Sequence, residues 1–215
     1  MMSEATSIVF VVDDDDAVRR ALTRLIRSAG YCVESFGSAH EFLECRPYCQ
    51  GCACLVLDVG LPGINGLELQ HEMNAANRSL PIIFITGHGD IAMTVRAMKA
   101  GATDFLAKPV SDSDLMRAIA NALRVSSRAL SSRVELDCIH ARMARLTPRE
   151  RKVLTLLVEG RLNKQVACEL GIAEKTIKVH RARVMEKMEA RSLVDLVRAT
   201  AKACIPLSPL PSAFP

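Results

Sequence analysis

The sequence predicts an α/β domain, built on a doubly wound five-stranded parallel sheet, followed by a small all-α helix-turn-helix domain. Three observations point there. From residue 8 to about residue 125, apolar runs of strand length alternate with stretches of helical period, which is the pattern of βαβ units. Residues 146–203 contain no strand-like run and read as short helices punctuated by Gly160 and Gly171. Charge divides at the same place: residues 1–125 carry 11 Lys+Arg against 15 Asp+Glu, whereas residues 126–215 carry 17 against 9. A mildly acidic half is thus joined to a strongly basic half suited to a polyanion.

The first strand is the run Ile8-Val9-Phe10-Val11-Val12, which ends in four aspartates, Asp13 to Asp16. In the first helix Val18, Leu22, Leu25 and Ile26 line one face, with Arg19, Arg20, Arg24 and Arg27 off it, and Gly30 ends it. Asp15 and Asp16 suit the first turn of that helix by capping and dipole effects. Strand two is Cys32 to Phe36, strand three Ala53 to Leu57, strand four Ile82 to Ile85 and strand five Asp104 to Ala107. From Ser126 to Met143 the chain is serine-rich without a regular apolar seam, a linker that is helical in one reading.

Leu146-Thr-Pro-Arg-Glu150 then starts a helix. Thr147 is the cap, Pro148 suits the first helical position, and Glu150 completes a capping box. Val153, Leu154, Leu157 and Val158 form its buried face, and Gly160 breaks it. A second short helix runs from Asn163 to Leu170, and a third from about Glu174 to Met188. Residues 205–215 hold four prolines and read as a disordered tail. The expected organisation is a first domain over 6–125, the linker over 126–143, the helical domain over 144–204 and the tail.

The N-terminus shows no basic stretch leading into an apolar core, and no apolar run approaches the ~20 residues that span a bilayer. The expectation is a soluble, cytoplasmic protein without a membrane partner. No internal repeat of solenoid period is visible.

The chemistry gathers at strand ends. Asp13 and Asp14 follow the first strand, Asp58 the third, Thr86 the fourth and Lys108 the fifth. In an open α/β sheet, the carboxyl ends of the strands are where ligands bind. Stacked carboxylates repel unless a cation sits among them, and Mg²⁺ needs only a few carboxylates plus a phosphate. With that charge neutralised, Asp58 can attack phosphorus to give an acyl phosphate, while Thr86 and Lys108 meet phosphoryl oxygens. Pro109 holds Lys108 in an extended backbone, aiming its side chain across the sheet edge.

This ordered set resembles the receiver domain of two-component response regulators. The matching stretches are Val11-Val12-Asp13-Asp14, Asp58 through Pro62 to Gly66, Thr86-Gly-His-Gly, Ala97 through Phe105, and Lys108-Pro109. The Thr-Gly-His-Gly-Asp and Ala-Met-Lys-Ala-Gly-Ala stretches look most like the FixJ branch. The resemblance implies a flavodoxin-like strand order 2-1-3-4-5, with Asp58 as phosphoacceptor served by a sensor histidine kinase. It makes Asp13, Asp14, Asp58 and the Gly60 carbonyl the Mg²⁺ ligands, Thr86 and Phe105 a switch pair, and Lys108 the phosphate partner. Two positions depart from the pattern: Leu61 stands where methionine is common, and Gly60 lacks the usual side chain.

In the basic half, two helices joined by a tight glycine turn form a helix-turn-helix whose second member enters the major groove. On that member Ile177, Val184 and Met188 make one buried stripe. Lys175, Lys178, Val179 and Ala182 lie on another face, flanked by Arg181 and Arg183. Cations there bind phosphates or read guanine edges, and Val179 can meet a thymine methyl. Composition alone would make this a solvated basic helix.

Leu146 through Arg151, Gly160 through Ala167, Leu170-Gly-Ile and Lys175 through His180 resemble the LuxR-type DNA-binding domain of NarL/FixJ regulators. That resemblance implies base or phosphate contacts to double-stranded promoter DNA from Lys178 and Val179, with phosphate help from Thr176; Lys164, Lys175, Arg181 and Arg183 are further candidate DNA contacts. It also implies homodimerisation on phosphorylation, with RNA polymerase as a further candidate partner. Ala182 stands where relatives place a lysine, so base specificity does not carry over.

The chain as a whole is therefore expected to be a transcriptional response regulator in a phosphorelay, not an enzyme beyond its own phosphorylation and dephosphorylation at Asp58. A phosphohydrolase is the first rival, opposed by the lack of a second acid two residues after Asp58 and of a substrate cap. The second is a DNA binder controlled through Cys45, Cys49, Cys52 and Cys54 by metal or disulfide. That spacing is compressed for a tetrahedral site, and a buried cysteine often serves as a small hydrophobe. His40, His71 and His88 have no paired ligands at helical spacing and read as surface or loop residues.

Overall fold

The computed structural model describes residues 7–45, 51–76, 80–87 and 91–203. They fall into two units, one up to Ser131 and one from Ser132 onward. The first holds β1 (Ile8–Val12), α1 (Asp16–Ser28), β2 (Cys32–Phe36), α2 (Ala39–Cys45), β3 (Ala53–Asp58), α3 (Gly66–Ala75), β4 (Ile82–Thr86), α4 (Ile91–Lys99) and β5 (Asp104–Ala107). The strands are parallel in the order β2-β1-β3-β4-β5. This is the order that the receiver resemblance implied.

Both faces of the sheet are covered, which is why its central strands are nearly continuous apolar runs. Alternate residues divide between two cores. Phe10, Val12, Leu55, Leu57 and Phe84 pack with Phe42, Leu69 and Met73 from α2 and α3. Val9, Val11, Val56, Ile83 and Ile85 pack with Ile26 of α1 and with Leu115 and Ile119 of the next helix. The first core includes an aromatic group in which the Phe36 and Phe42 rings meet edge-on at 5.4 Å.

That next helix, α5, runs without a break from Asp112 to Ala144. The linker expected over 126–143 is thus helical throughout. No glycine or proline interrupts it, and Ile139 is buried in the core of the second unit, inside the expected linker. The missing apolar seam has a physical cause: residues 127–135 are exposed apart from the partly buried Leu130, so they need no packing face.

The second unit continues with α6 (Pro148–Val158), α7 (Asn163–Leu170), α8 (Glu174–Lys187) and α9 (Leu193–Lys202). The capping box at Thr147 and Glu150 forms as the sequence indicates. Gly171, at φ +64, caps α7 in the left-handed region and turns the chain into α8. Val153, Leu154, Leu157, Val166, Ile177, Val184, Met188 and Leu196 fill the core. Leu156 is buried as well, between Leu154 and Leu157, whereas Val158 at the end of the expected face is only partly buried. The tail over 205–215, His88 and Cys49 lie outside the described residues.

Candidate functional sites at the strand ends and on the basic helix

Strand register alone brings the acidic residues together. Val12 pairs with Leu57, so the next residues, Asp13 and Asp58, leave neighbouring strands at one level. Asp58 pairs with Ile85 and Thr86 with Ala107, so Thr86 and Lys108 each lie one step further along the same sheet edge. Asp58 and Thr86 are the final residues of β3 and β4, one residue inside the strands rather than beyond them.

Ligand oxygens of Asp13, Asp14 and Asp58 lie within 4.8 Å of one another, the one such group of acids, histidines or cysteines among the described residues. Asp13 is 1 % exposed and Asp58 9 %, while Asp14 faces solvent. Lys108 Nζ donates to Asp13 Oδ2 at 2.9 Å and to Asp58 Oδ2 at 2.8 Å. The remaining oxygens are also engaged: Asp13 Oδ1 accepts from Asp15 N at 2.9 Å, and Asp58 Oδ1 accepts from Gly60 N at 3.2 Å.

Burial pushes the Asp13 carboxyl above the usual range, an effect that the bond and charge of Lys108 oppose and the charge of Asp58 reinforces. For Lys108, burial acts downward, but the two carboxylates outweigh it and hold the ammonium above its ordinary value. The set fits a hard divalent cation because it offers three carboxylates in close array with an exposed opening at Asp14. The Lys108–Pro109 peptide is cis, and Lys108 N donates to the Thr86 carbonyl at 2.7 Å.

Two supports fix this edge. Arg19 Nη1 donates to the carbonyls of Asp13 at 2.7 Å and Asp14 at 3.4 Å, while its Nη2 pairs with Asp16. Asp15 caps α1 by accepting from Ala17 N and Val18 N, so the aspartate run divides as its sequence position suggested. Gly66 opens α3 where an added Cβ would stand 2.5 Å from the Asp58 carbonyl, so only glycine lets α3 approach this closely. Sequence reasoning missed Arg19; the only signal was a cation three residues after Asp16.

Thr86 is 4 % exposed. The partly buried Phe105 ring lies 6.0 Å from Phe84 and packs on the first core. A cavity of about 530 Å³ opens over Asp58, Gly60, Thr86 and Lys108, with Asn65, Met93 and Arg96 also in its wall. A larger groove of about 700 Å³ follows the arginines of α1, but it reaches none of Asp13, Asp58 and Lys108. The cavity over Asp58 is the one that joins the acidic edge to Lys108, because Asp58 and Lys108 both line it.

On α8, Ile177 and Val184 are buried, as is Met188 at its C-cap, and Lys175, Thr176, Lys178, Val179 and Arg183 are exposed. Lys164 on α7 is exposed too. Arg181 is drawn partly inward, where its Nη1 donates to Asn163 Oδ1 at 3.3 Å and ties α7 to α8. The end of α8 is anchored by Lys187, whose Nζ donates at 2.6 Å to Glu150 Oε2 in the capping box of α6. Lys187 holds the Glu150 carboxyl well down, at about 2, with help from the Thr147 backbone N–H.

The cysteines do not assemble into a site among the described residues. Cys45 is exposed, Cys52 partly buried, and Cys54 lies within β3 with its thiol pushed up to about 12 by burial. Such a thiol is a poor source of thiolate. His40 is exposed and pairs with Glu44. No described helix is long and apolar enough to cross a membrane.

Both units have counterparts among known proteins. Residues 9–120 match the response regulator receiver domain, and residues 144–200 match the luxR family of bacterial regulatory proteins. Nodulation protein W of Bradyrhizobium diazoefficiens is 50% identical over 192 residues, covering 89% of this chain and 84% of that protein. The transcriptional regulatory protein FixJ of the same species is 44% identical, covering 91% of this chain and 95% of its own. The structure of the response regulator StyR superposes with a TM-score of 0.83 at 49% identity, covering 92% of this chain and all of that one.

Proposed function

Because the chain belongs to the two-component response regulators that join a receiver domain to a LuxR-type DNA-binding domain, we propose that phosphorylation of Asp58 controls its binding to promoter DNA. The observation that carries this reading is the Lys108 ammonium held between Asp13 and Asp58 at 2.9 and 2.8 Å. It fixes the phosphoacceptor and supplies a cation that can follow the phosphoryl group as it arrives.

In the transfer, an Asp58 carboxylate oxygen attacks phosphorus. The bond from phosphorus to the imidazole nitrogen of a sensor histidine kinase breaks, and the nitrogen keeps the electron pair. The product is an acyl phosphate, and Lys108 pairs with one of its oxygens. Asp13, Asp14, Asp58 and the Gly60 carbonyl would hold Mg²⁺, which supplies charge neutralisation for the transferred group. Thr86 meets another phosphoryl oxygen and Phe105 follows its movement, shifting a two-state receiver. The chain catalyses nothing else: its chemistry is its own phosphorylation and hydrolysis at Asp58.

Exposed Ile91, Val95 and Met98 make an apolar stripe along α4, which supports homodimerisation of the phosphorylated form. Dimers of helix-turn-helix proteins read spaced half-sites, with α8 in the major groove. Lys164, Lys175, Thr176, Lys178 and Arg183 contact phosphates or base edges, Val179 meets a base methyl, and Arg181 serves through its bond to Asn163. On this reading the protein acts in the cytoplasm on double-stranded promoter DNA, with RNA polymerase as a candidate partner.

Intact-protein mass spectrometry after incubation with acetyl phosphate and Mg²⁺ tests the premise. One phosphoryl group should appear on the wild-type chain and none on Asp58→Asn. Equal labelling of both would refute Asp58 as the acceptor.

A further inference from the structure

Lys108 is committed to Asp13 and Asp58, yet a second cation lines the same cavity. Arg96, in the last turn of α4, shares the wall with Asp58, Gly60 and Thr86. Its backbone carbonyl serves the helix, but no hydrogen bond or ion pair among the described residues engages its guanidinium. A Cβ built at Gly60 would have Asp58 Oδ1, at 4.0 Å, as its nearest neighbour, so there is open space beside the carboxylate where most side chains would stand.

From this arrangement we infer that Arg96 recognises the incoming phosphodonor, pairing with its phosphoryl oxyanions before and during attack by Asp58. A guanidinium matches such a group well, because its planar fork of donors meets two phosphate oxygens at once and its charge does not titrate near neutral pH. Asp58 lines the cavity, with carboxylate oxygens of Asp13 and Asp14 within 4.8 Å of its own, and this negative charge repels a dianionic donor. Lys108 answers part of that charge from the end of β5, and Arg96 adds a second cation from α4 in the wall of the same cavity. The shared ligand chemistry is a phosphoryl group on either an oxygen or a nitrogen leaving atom. The inference rests on Asp58 being the phosphoacceptor.

The test measures the second-order rate constant for phosphorylation of the full chain with Mg²⁺. One donor is acetyl phosphate, a dianion with a P–O bond; the other is phosphoramidate, a net monoanion whose P–N bond resembles that of phosphohistidine. In Arg96→Gln the acetyl phosphate rate should fall roughly three- to tenfold, the scale on which an exposed charge attracts an anion. A loss should appear with phosphoramidate as well, because both donors carry the phosphoryl oxyanions that the guanidinium meets. The slope of rate against ionic strength should flatten, and Arg96→Lys should recover most of both. Unchanged rates and salt slope in Arg96→Gln would overturn the inference, as would an Arg96→Lys variant no better than Arg96→Gln. Absence of labelling on the wild-type chain would instead refute the phosphoacceptor reading itself.

Discussion

Lys187→Met isolates the bond that pins the end of α8 to the start of α6. In the wild type, Lys187 Nζ lies 2.6 Å from Glu150 Oε2, and the same oxygen accepts from Thr147 N at 2.9 Å. The Glu150 carboxyl titrates at about 2 instead of 4.5, first because of Lys187 and then because of the Thr147 N–H. A shift of that size caps the linked stability at roughly 3 kcal/mol. Lys187 is 29% exposed and solvent screens part of its charge. Its share is therefore about 1–2 kcal/mol. Methionine keeps the aliphatic stem but leaves Glu150, only 2 % exposed, without its cation.

The sign of the pH dependence follows from a carboxyl depressed on folding. The stabilisation is complete above about 4.5 and is lost as pH falls through about 2. Urea unfolding of the full chain, followed by helical circular dichroism, should show the second unit destabilised at neutral pH in Lys187→Met. The gap between variant and wild type should close as the solution is acidified from pH 4.5 towards 2. Equal stability at neutral pH would rule out a stabilising role for this bond, and so would a gap that persists unchanged in acid.

Gly60→Arg should lengthen the lifetime of the Asp58 acyl phosphate, because open space flanks the carboxylate there and a long side chain would obstruct water. Loss of label over time measures it, and a wild-type lifetime much longer than the variant's would contradict the idea. Lys178→Ala should weaken binding to promoter DNA and reduce the salt slope by about one unit if the contact is to phosphate. Lys178 has only a loose partner, Glu174 at 3.7 Å, so it is available for such a contact. Titration at several salt concentrations decides; unchanged affinity and slope would remove Lys178 from the interface.

The acidic edge was legible because parallel strands of matched register deliver their next residues to one place, and the apolar runs before Asp13, Asp58, Thr86 and Lys108 mark those strands. Strand bounds differed only where Asp58 and Thr86 still pair with neighbours. α5 was less legible. Its exposed middle needs no apolar face, so periodicity carries no signal, and only the lack of glycine and proline spoke for helix. Arg19 and Lys187 escaped notice for a different reason. Each bonds through the tip of a long side chain, Arg19 to backbone carbonyls and Lys187 to an acid 37 residues away. Residue type and spacing do not encode such contacts. Arg181 looked like one cation among several, until the fold set it against Asn163.

Control of DNA binding through Asp58 stands or falls on binding by wild type and Asp58→Asn, each measured with and without acetyl phosphate and Mg²⁺. The phosphodonor should change the affinity of the wild-type chain for its promoter and leave Asp58→Asn unaffected. Identical binding in all four conditions would contradict control through Asp58.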